Sequence, residues 1–111
     1  MVKKTRAYLP ATEHASRVLG TQIAAARREL GWTQQVLGGR LGVDRHLVAK
    51  IESGSPNVTL GVALEAAIVC GLPIFGVQAH ELSRVAGDQD VRLALLPNRV
   101  RGGTPVISND F

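Results

Sequence analysis

Glycines at 31, 42, 54 and 71 cut the middle of the chain into short lengths, and each length carries helical rather than strand periodicity. From Arg17, apolar residues recur at Leu19, Ile23, Ala26 and Leu30, the spacing of one buried stripe on a helix. Gly31 then serves as its terminator. Thr33 is a good N-cap for a second helix, because its hydroxyl can accept an otherwise unpaired amide. That helix runs to about Leu41, with Leu37 and Leu41 inward, and stops at Gly42. Asp44 is the next N-cap, opening a third helix from Arg45 to Ser53 with Val48 and Ile51 inward and Gly54 at its end. Ser55-Pro56-Asn57 is turn chemistry. A fourth helix follows from about Thr59 to Cys70, with Leu60, Ala63, Leu64, Ala67 and Ile68 on one face, closed by Gly71 and Pro73. Residues 78–96 are again helical in pattern through Leu82, Val85, Leu93 and Leu96, with a break expected at Gly87-Asp88. The pattern predicts an all-α chain of about five helices. Val106-Ile107 is the one hint of strand alternation and is too short to form a sheet.

The ends read differently. Residues 1–16 are polar and contain Pro10, which suggests a flexible N-terminal arm, with a short helical start left open. Residues 98–111 contain Gly102, Gly103 and Pro105 and read as an extended tail. Between them, residues 17–76 form the expected helical domain and 77–97 a C-terminal helical extension. With 111 residues, the chain has room for one modest core and none for a separate catalytic domain.

Charge is unevenly placed. The formal net charge is +4. Residues 1–60 hold an excess of five positive charges, and residues 61–111 an excess of one negative charge. A polyanionic partner would therefore meet the first half, although an ordinary solvated basic face has the same composition. A single cysteine, Cys70, rules out an internal disulfide framework and a multi-thiolate metal site and suits a reducing compartment. No apolar run approaches the ~20 residues of a membrane span. These features point to a cytoplasmic, membrane-independent protein. His14, His46 and His80 are too scattered for metal-ligand spacing, and no carboxylate pair, nucleophile–base pair or phosphate loop appears. No cofactor, metal or catalytic role is expected.

The stretch from Gly31 to Gly54, GWTQQVLGGRLGVDRHLVAKIESG, has the dimensions of two short helices joined by a glycine turn. An exposed short helix can enter the major groove of a duplex while the preceding helix braces it across the backbone. Capped helix N-termini at Thr33 and Asp44 can also offer amides to phosphate oxygens. By itself the pattern is weak, since many helical bundles contain it.

The residues carry more than the pattern. Thr33, Gln34, Leu37, Gly42, Val43, Val48, Lys50, Ile51, Glu52 and Gly54 stand in the places of a TQ-x-x-L-x-x-x-x-G-V-x-x-x-x-V-x-K-I-E-x-G signature. The chain thereby resembles the Xre/Cro-like helix-turn-helix family, which implies a five-helix, lambda-repressor-like domain. Leu60-Gly61-x-Ala63-Leu64-Glu65-Ala66-Ala67, Gly71-Leu72-Pro73-Ile74-Phe75-Gly76, the run from Arg92 to Arg101 and Asn109-Asp110-Phe111 look like HipB-type antitoxins. Such antitoxins are usually paired with a HipA-like serine/threonine kinase toxin.

The resemblance implies a distribution of roles. Arg45, His46, Ala49 and Lys50 fall at groove-facing positions, with Leu47 at the edge, for contacts to base edges. Arg45 and Lys50 can reach guanine O6 and N7, His46 a base edge or a phosphate, and Leu47 and Ala49 a thymine methyl. Thr33, Gln34, Ser53 and Arg27 fall at positions for the DNA backbone, and Arg27 also pairs structurally with Glu52. The plainer readings are solvated surface charge for Arg45 and Lys50, an exposed polar residue for His46 and first-turn polarity for Gln34. Trp32 and Phe75 are expected to fill the core or an interface, and Cys70 to act as a small hydrophobe. Gly38 and Gly39 depart from the family pattern, which usually has an alanine at one of them. Either the second helix is looser than usual, or Gly38 permits tighter packing on the third.

The function these features imply is a homodimeric, sequence-specific repressor reading an inverted repeat in double-stranded DNA. It would be the antitoxin of a type II toxin–antitoxin module with a HipA-like kinase partner. Two alternatives stay open: an interaction module that mainly inhibits a kinase, and a solitary or phage-type regulator. The excess of apolar residues at Val62, Ile68, Val69, Leu72, Ile74 and Phe75 places the expected dimer surface on the fourth and fifth helices.

Overall fold

A computed structural model describes residues 7–98 of the chain. The described residues form five α-helices and no strand: α1 (Pro10–Glu29), α2 (Gln34–Leu41), α3 (Arg45–Glu52), α4 (Leu60–Val69) and α5 (Leu82–Ala94). A single 3₁₀ turn, Ala79–Glu81, precedes α5. This is the all-α, five-helix architecture expected from the sequence. By internal contacts the chain divides between His80 and Glu81. The expected tail lies outside the described residues from residue 99 onward, and with it Val106-Ile107.

The first helix begins at Pro10 rather than at Arg17, so the expected arm over residues 1–16 is helical in its second half. Proline at the first helical position brings a preset φ and lacks only an amide that would be unpaired there anyway. Glu13 in the first turn and Arg27 and Arg28 in the last complement the helix dipole. The polarity of residues 11–16 reflects solvent exposure, not absence of structure.

The buried stripe of α1 also differs from expectation. Gly20, Ile23 and Arg27 face inward, Leu19 and Ala26 pack against the core, and Leu30 is 47% exposed at the C-cap. The helix turns this way because α3 crosses it closely: a Cβ on Gly20 would collide with the Ile51 carbonyl oxygen.

The core joins Ile23 of α1, Leu37 of α2, Val48 and Ile51 of α3, and Ala66, Ala67 and Cys70 at α4. On α4 the inward face is Ala63, Ala66 and Ala67, whereas Leu60, expected inward, is 75% exposed and Leu64 and Ile68 are only half-buried. This helix is apolar almost all round, with Glu65 its one charge, so periodicity could not select a face. Packing density selects it, because alanines let α4 approach its neighbours closely. Leu72 and Ile74 extend the core beyond the helix.

The α5 helix runs through Gly87-Asp88 without the expected break. Glycine costs only about 1 kcal/mol inside a helix. Arg84 spans the region, with Asp88 at 3.4 Å one turn on and Glu81 at 3.7 Å one turn back. Both pairs are exposed and contribute little each. Val91 and Leu93 in its C-terminal part, and Leu95 and Leu96 just after it, are exposed.

Candidate nucleic-acid interface

The α2–turn–α3 unit is built by its caps. Thr33 Oγ1 accepts from the Val36 amide at 3.1 Å, opening α2. Gly42, at φ 73°, terminates α2 in the left-handed region, where a Cβ is disfavoured. The Val43 amide then donates back to the Gly38 carbonyl at 2.9 Å. Asp44 Oδ1 accepts from the amides of His46 at 2.8 Å and Leu47 at 3.1 Å, opening α3 after a very short connection.

Gly38 and Gly39 turn out to be different residues physically. A Cβ on Gly38 would lie 2.7 Å from the Val43 carbonyl oxygen, while one on Gly39 would meet nothing within 4 Å. Of the two alternatives for this pair, close packing is the one seen: Gly38 lets the turn into α3 close onto α2. Gly39 instead borders an open notch lined with Gln35, Val43, Asp44, Arg45 and His46.

The inner side of α3 is fixed by Val48, 1% exposed, and Ile51, 4% exposed. Leu47 is half-buried and packs against the core, and Ala49 is half-buried. Arg45, His46 and Lys50 are exposed. The helix thus shows both of its cations and its one imidazole to solvent from a rigid apolar footing. Ser53 closes it at the C-cap, its hydroxyl donating to the Lys50 carbonyl at 2.9 Å.

A buried polar cluster ties α1, α2 and α3 together. Arg27 Nε donates to Glu52 Oε2 at 2.6 Å and Nη2 donates to Oε1 at 2.9 Å, a bidentate pair. Arg27 Nη1 donates to the Trp32 carbonyl at 2.8 Å, and Gln34 Nε2 donates to Glu52 Oε1 at 3.1 Å. The side chains of Arg27 and Glu52 are 8% and 6% exposed. No buried side-chain polar atom among the described residues lacks a partner.

The electrostatics follow the geometry. Burial pushes the Glu52 carboxyl up, but hydrogen bonds from Arg27 and Gln34 and the Arg27 charge outweigh it, leaving the group below the usual carboxylate range. The Glu52 hydrogen bond raises Arg27 against the opposing effect of burial. Burial pushes the Cys70 thiol up, and the nearby Glu52 charge adds to the shift. Cys70 is 7% exposed and free.

Three contacts escaped the sequence reading. Arg40 lies over the Trp32 ring, 4.1 Å from its centroid, so the half-buried Trp32 both packs against the core and holds a cation. Tyr8 donates its hydroxyl hydrogen to Asn57 Oδ1 at 2.9 Å, linking the start of α1 to the α3–α4 loop. Gly54 lies against Arg17, and a Cβ there would come within 2.7 Å of the Arg17 Cα. None has a periodic signature, because each joins positions set by the tertiary fold.

Among the described residues, no cluster of three His, Cys, Asp or Glu side chains is arranged to hold a metal ion, and no helix is long and apolar enough to cross a membrane. No curated protein and no solved structure matched the chain in the comparisons made. A family model described as a helix-turn-helix domain matches residues 18–82, from α1 to the first residue of α5. With more than half of its length so matched, and with a capped, glycine-turned helix pair at the centre of the match, the chain belongs to the Xre/Cro-like helix-turn-helix family of DNA-binding domains.

Proposed function

We propose that the protein is a sequence-specific repressor that reads an inverted repeat in duplex DNA as a homodimer. The observation that carries this reading is α3: Arg45, His46 and Lys50 exposed along one side, with Val48 and Ile51 locked in the core on the other. Arg45 and Lys50 donate to guanine O6 and N7, His46 to a base edge or a phosphate, and Leu47 and Ala49 offer apolar contact to a thymine methyl. Thr33, Gln34 and Ser53 contact the sugar–phosphate backbone. Arg27 serves mainly to hold α1 to α3. Three of its five N–H donors go to Glu52 and Trp32, which leaves two for the backbone contact assigned to it.

Two such helices about 34 Å apart would lie in successive major grooves on one side of the duplex. Binding over a promoter would exclude RNA polymerase. A gel-shift titration on the region upstream of the coding sequence tests the reading. The combined substitution Arg45→Ala and Lys50→Ala is expected to abolish the specific complex while leaving the circular dichroism spectrum unchanged. Unaltered affinity would refute it.

The finer reading is an antitoxin acting in the cytoplasm, which neutralises a HipA-like kinase through surfaces away from α3. It is supported by the HipB-like residues at 60–67 and 71–76 and in the C-terminal run. Co-expression with the product of the adjacent reading frame, with and without residues 98–111, is expected to give a stable complex that the truncation weakens. Absence of an adjacent kinase gene would favour a solitary regulator. A kinase complex without any DNA affinity would favour a pure interaction module.

A further inference from the structure

The match to the helix-turn-helix family begins at residue 18, and the charge ahead of it is one-sided. Residues 1–17 hold Lys3, Lys4, Arg6 and Arg17 against a single carboxylate, Glu13. The fold sets the last part of this stretch against the end of α3. Gly54, the residue after the α3 C-cap, has no Cβ, and the Cα and Cγ of Arg17 occupy the space that one would need. Tyr8 donates to Asn57 Oδ1 at 2.9 Å, so the chain just before α1 is hydrogen-bonded to the same connection. Both contacts fall on residues 53–59, the link from α3 to α4, which carries no charge of its own.

That end of α3 is poor in positive charge. The last carbonyls of a helix carry the negative end of its dipole. Glu52 in the final turn is taken up by Arg27 and Gln34, and Lys50 is the last cation of the helix. Ser53, assigned above to the sugar–phosphate backbone, brings only a hydroxyl, which donates to the Lys50 carbonyl. The α1 side can make good the deficit. Arg17 is exposed and takes part in none of the ion pairs among the described residues. Ahead of it, a covalent reach of about 3.3–3.6 Å per residue holds the Arg6 Cα within ~7 Å and the Lys3 Cα within ~18 Å of the Tyr8 Cα.

We infer that this end of the domain is a further contact to the DNA backbone: Arg17, together with Lys3, Lys4 and Arg6 tethered through Tyr8 and Asn57, neutralises phosphates beside the C-terminal end of α3. Tyr8 is a positioning residue, since its hydroxyl fixes where along the duplex the cations ahead of it fall. The inference rests on the duplex-binding reading above and adds to it a surface that carries affinity and register without reading bases.

Fluorescence anisotropy of the full chain on operator and scrambled duplexes, from about 50 to 200 mM salt, tests the inference together with phosphate-ethylation interference on the operator. Each neutralised phosphate contributes about 0.9 to the salt slope, so Lys3→Ala, Lys4→Ala and Arg6→Ala combined should make it shallower by about 2.7 on both duplexes. Over that range of salt the wild type then loses roughly 40-fold more affinity than the variant. Arg17→Gln keeps the side-chain stem against Gly54 and should make the slope shallower by about 0.9. Neither change should narrow the gap between operator and scrambled DNA. Tyr8→Phe retains the ring and all four cations. It should keep the wild-type slope on scrambled DNA but lose the interference at phosphates beside the C-terminal end of α3. Circular dichroism melts check that each variant remains folded. An unchanged slope in either cation variant, or flanking interference that survives Tyr8→Phe, overturns the inference and leaves duplex binding through α3 standing. A wild type that binds neither duplex overturns both.

Discussion

At the scale of single residues, the stability of the unit depends on groups that pattern reading places on the surface. Arg27 is charged and sits in the middle of an apolar stripe, yet it is buried and Leu30 is not. Removing one partner of such a pair strands the other, at a cost of about 3–5 kcal/mol. Arg27→Ala is therefore expected to lower the urea midpoint severely. Arg27→Met combined with Glu52→Leu should recover most of the loss, since no buried charge is then left unpaired. The pair also sets an acid limit. The Glu52 carboxyl is held below its ordinary value of 4.5, so its contribution is complete above that pH and disappears as pH falls through the lowered folded-state value. Thermal melts from pH 7 to pH 3 should show less acid destabilisation in Glu52→Gln than in the wild type, relative to each protein at pH 7. The adjacent glycines give opposite signs. Gly38→Ala forces a methyl against the Val43 carbonyl and should cost about 1–3 kcal/mol. Gly39→Ala meets open space and should gain about 0.5–1 kcal/mol. Equal effects in denaturant titrations would remove the distinction drawn between them.

At the scale of elements, the caps and turns were legible and the buried faces only partly so. Thr33, Gly42 and Asp44 act locally: each bonds or bends within a few residues of itself, so its role can be read from neighbouring sequence. The start of α1 was hidden because polar residues after Pro10 form a solvent-facing helix as readily as an arm. The inward face of α4 was hidden because an almost wholly apolar helix gives periodicity nothing to contrast. The path of α5 through Gly87 was hidden because a modest propensity cost is outweighed by the rest of the helix. In the candidate site the exposed set Arg45, His46 and Lys50 came from position within a motif. The Gln34 amide bonded to Glu52 and the Arg40–Trp32 stack depend on helix packing. The cap of α3 is the element-scale feature most open to test. Asp44→Ala leaves the amides of His46 and Leu47 without their acceptor and should cost about 1 kcal/mol of stability. Asp44→Ser should restore most of it in the same chemical denaturation experiment.

For the whole molecule, the uneven charge distribution bears on how DNA would be approached and how sequence would be read. Residues 1–60 carry the positive excess, and the exposed cations of α3 lie within them. A field of that sign steers any duplex toward this half without regard to sequence, and each neutralised phosphate makes log K fall with log salt by about 0.9. Base reading is a separate contribution from few residues, so the two should come apart on substitution. Arg45→Ala is expected to weaken operator binding by about 5- to 150-fold, equivalent to the ~1–3 kcal/mol of one bidentate base contact. Binding to scrambled DNA at the same salt should change far less, narrowing the gap between specific and non-specific affinity. Fluorescence anisotropy with both duplexes at several salt concentrations would measure the gap and the slope together. A loss of equal size on both duplexes, with a shallower salt slope, would mean that Arg45 binds phosphate and that α3 does not discriminate sequence through it.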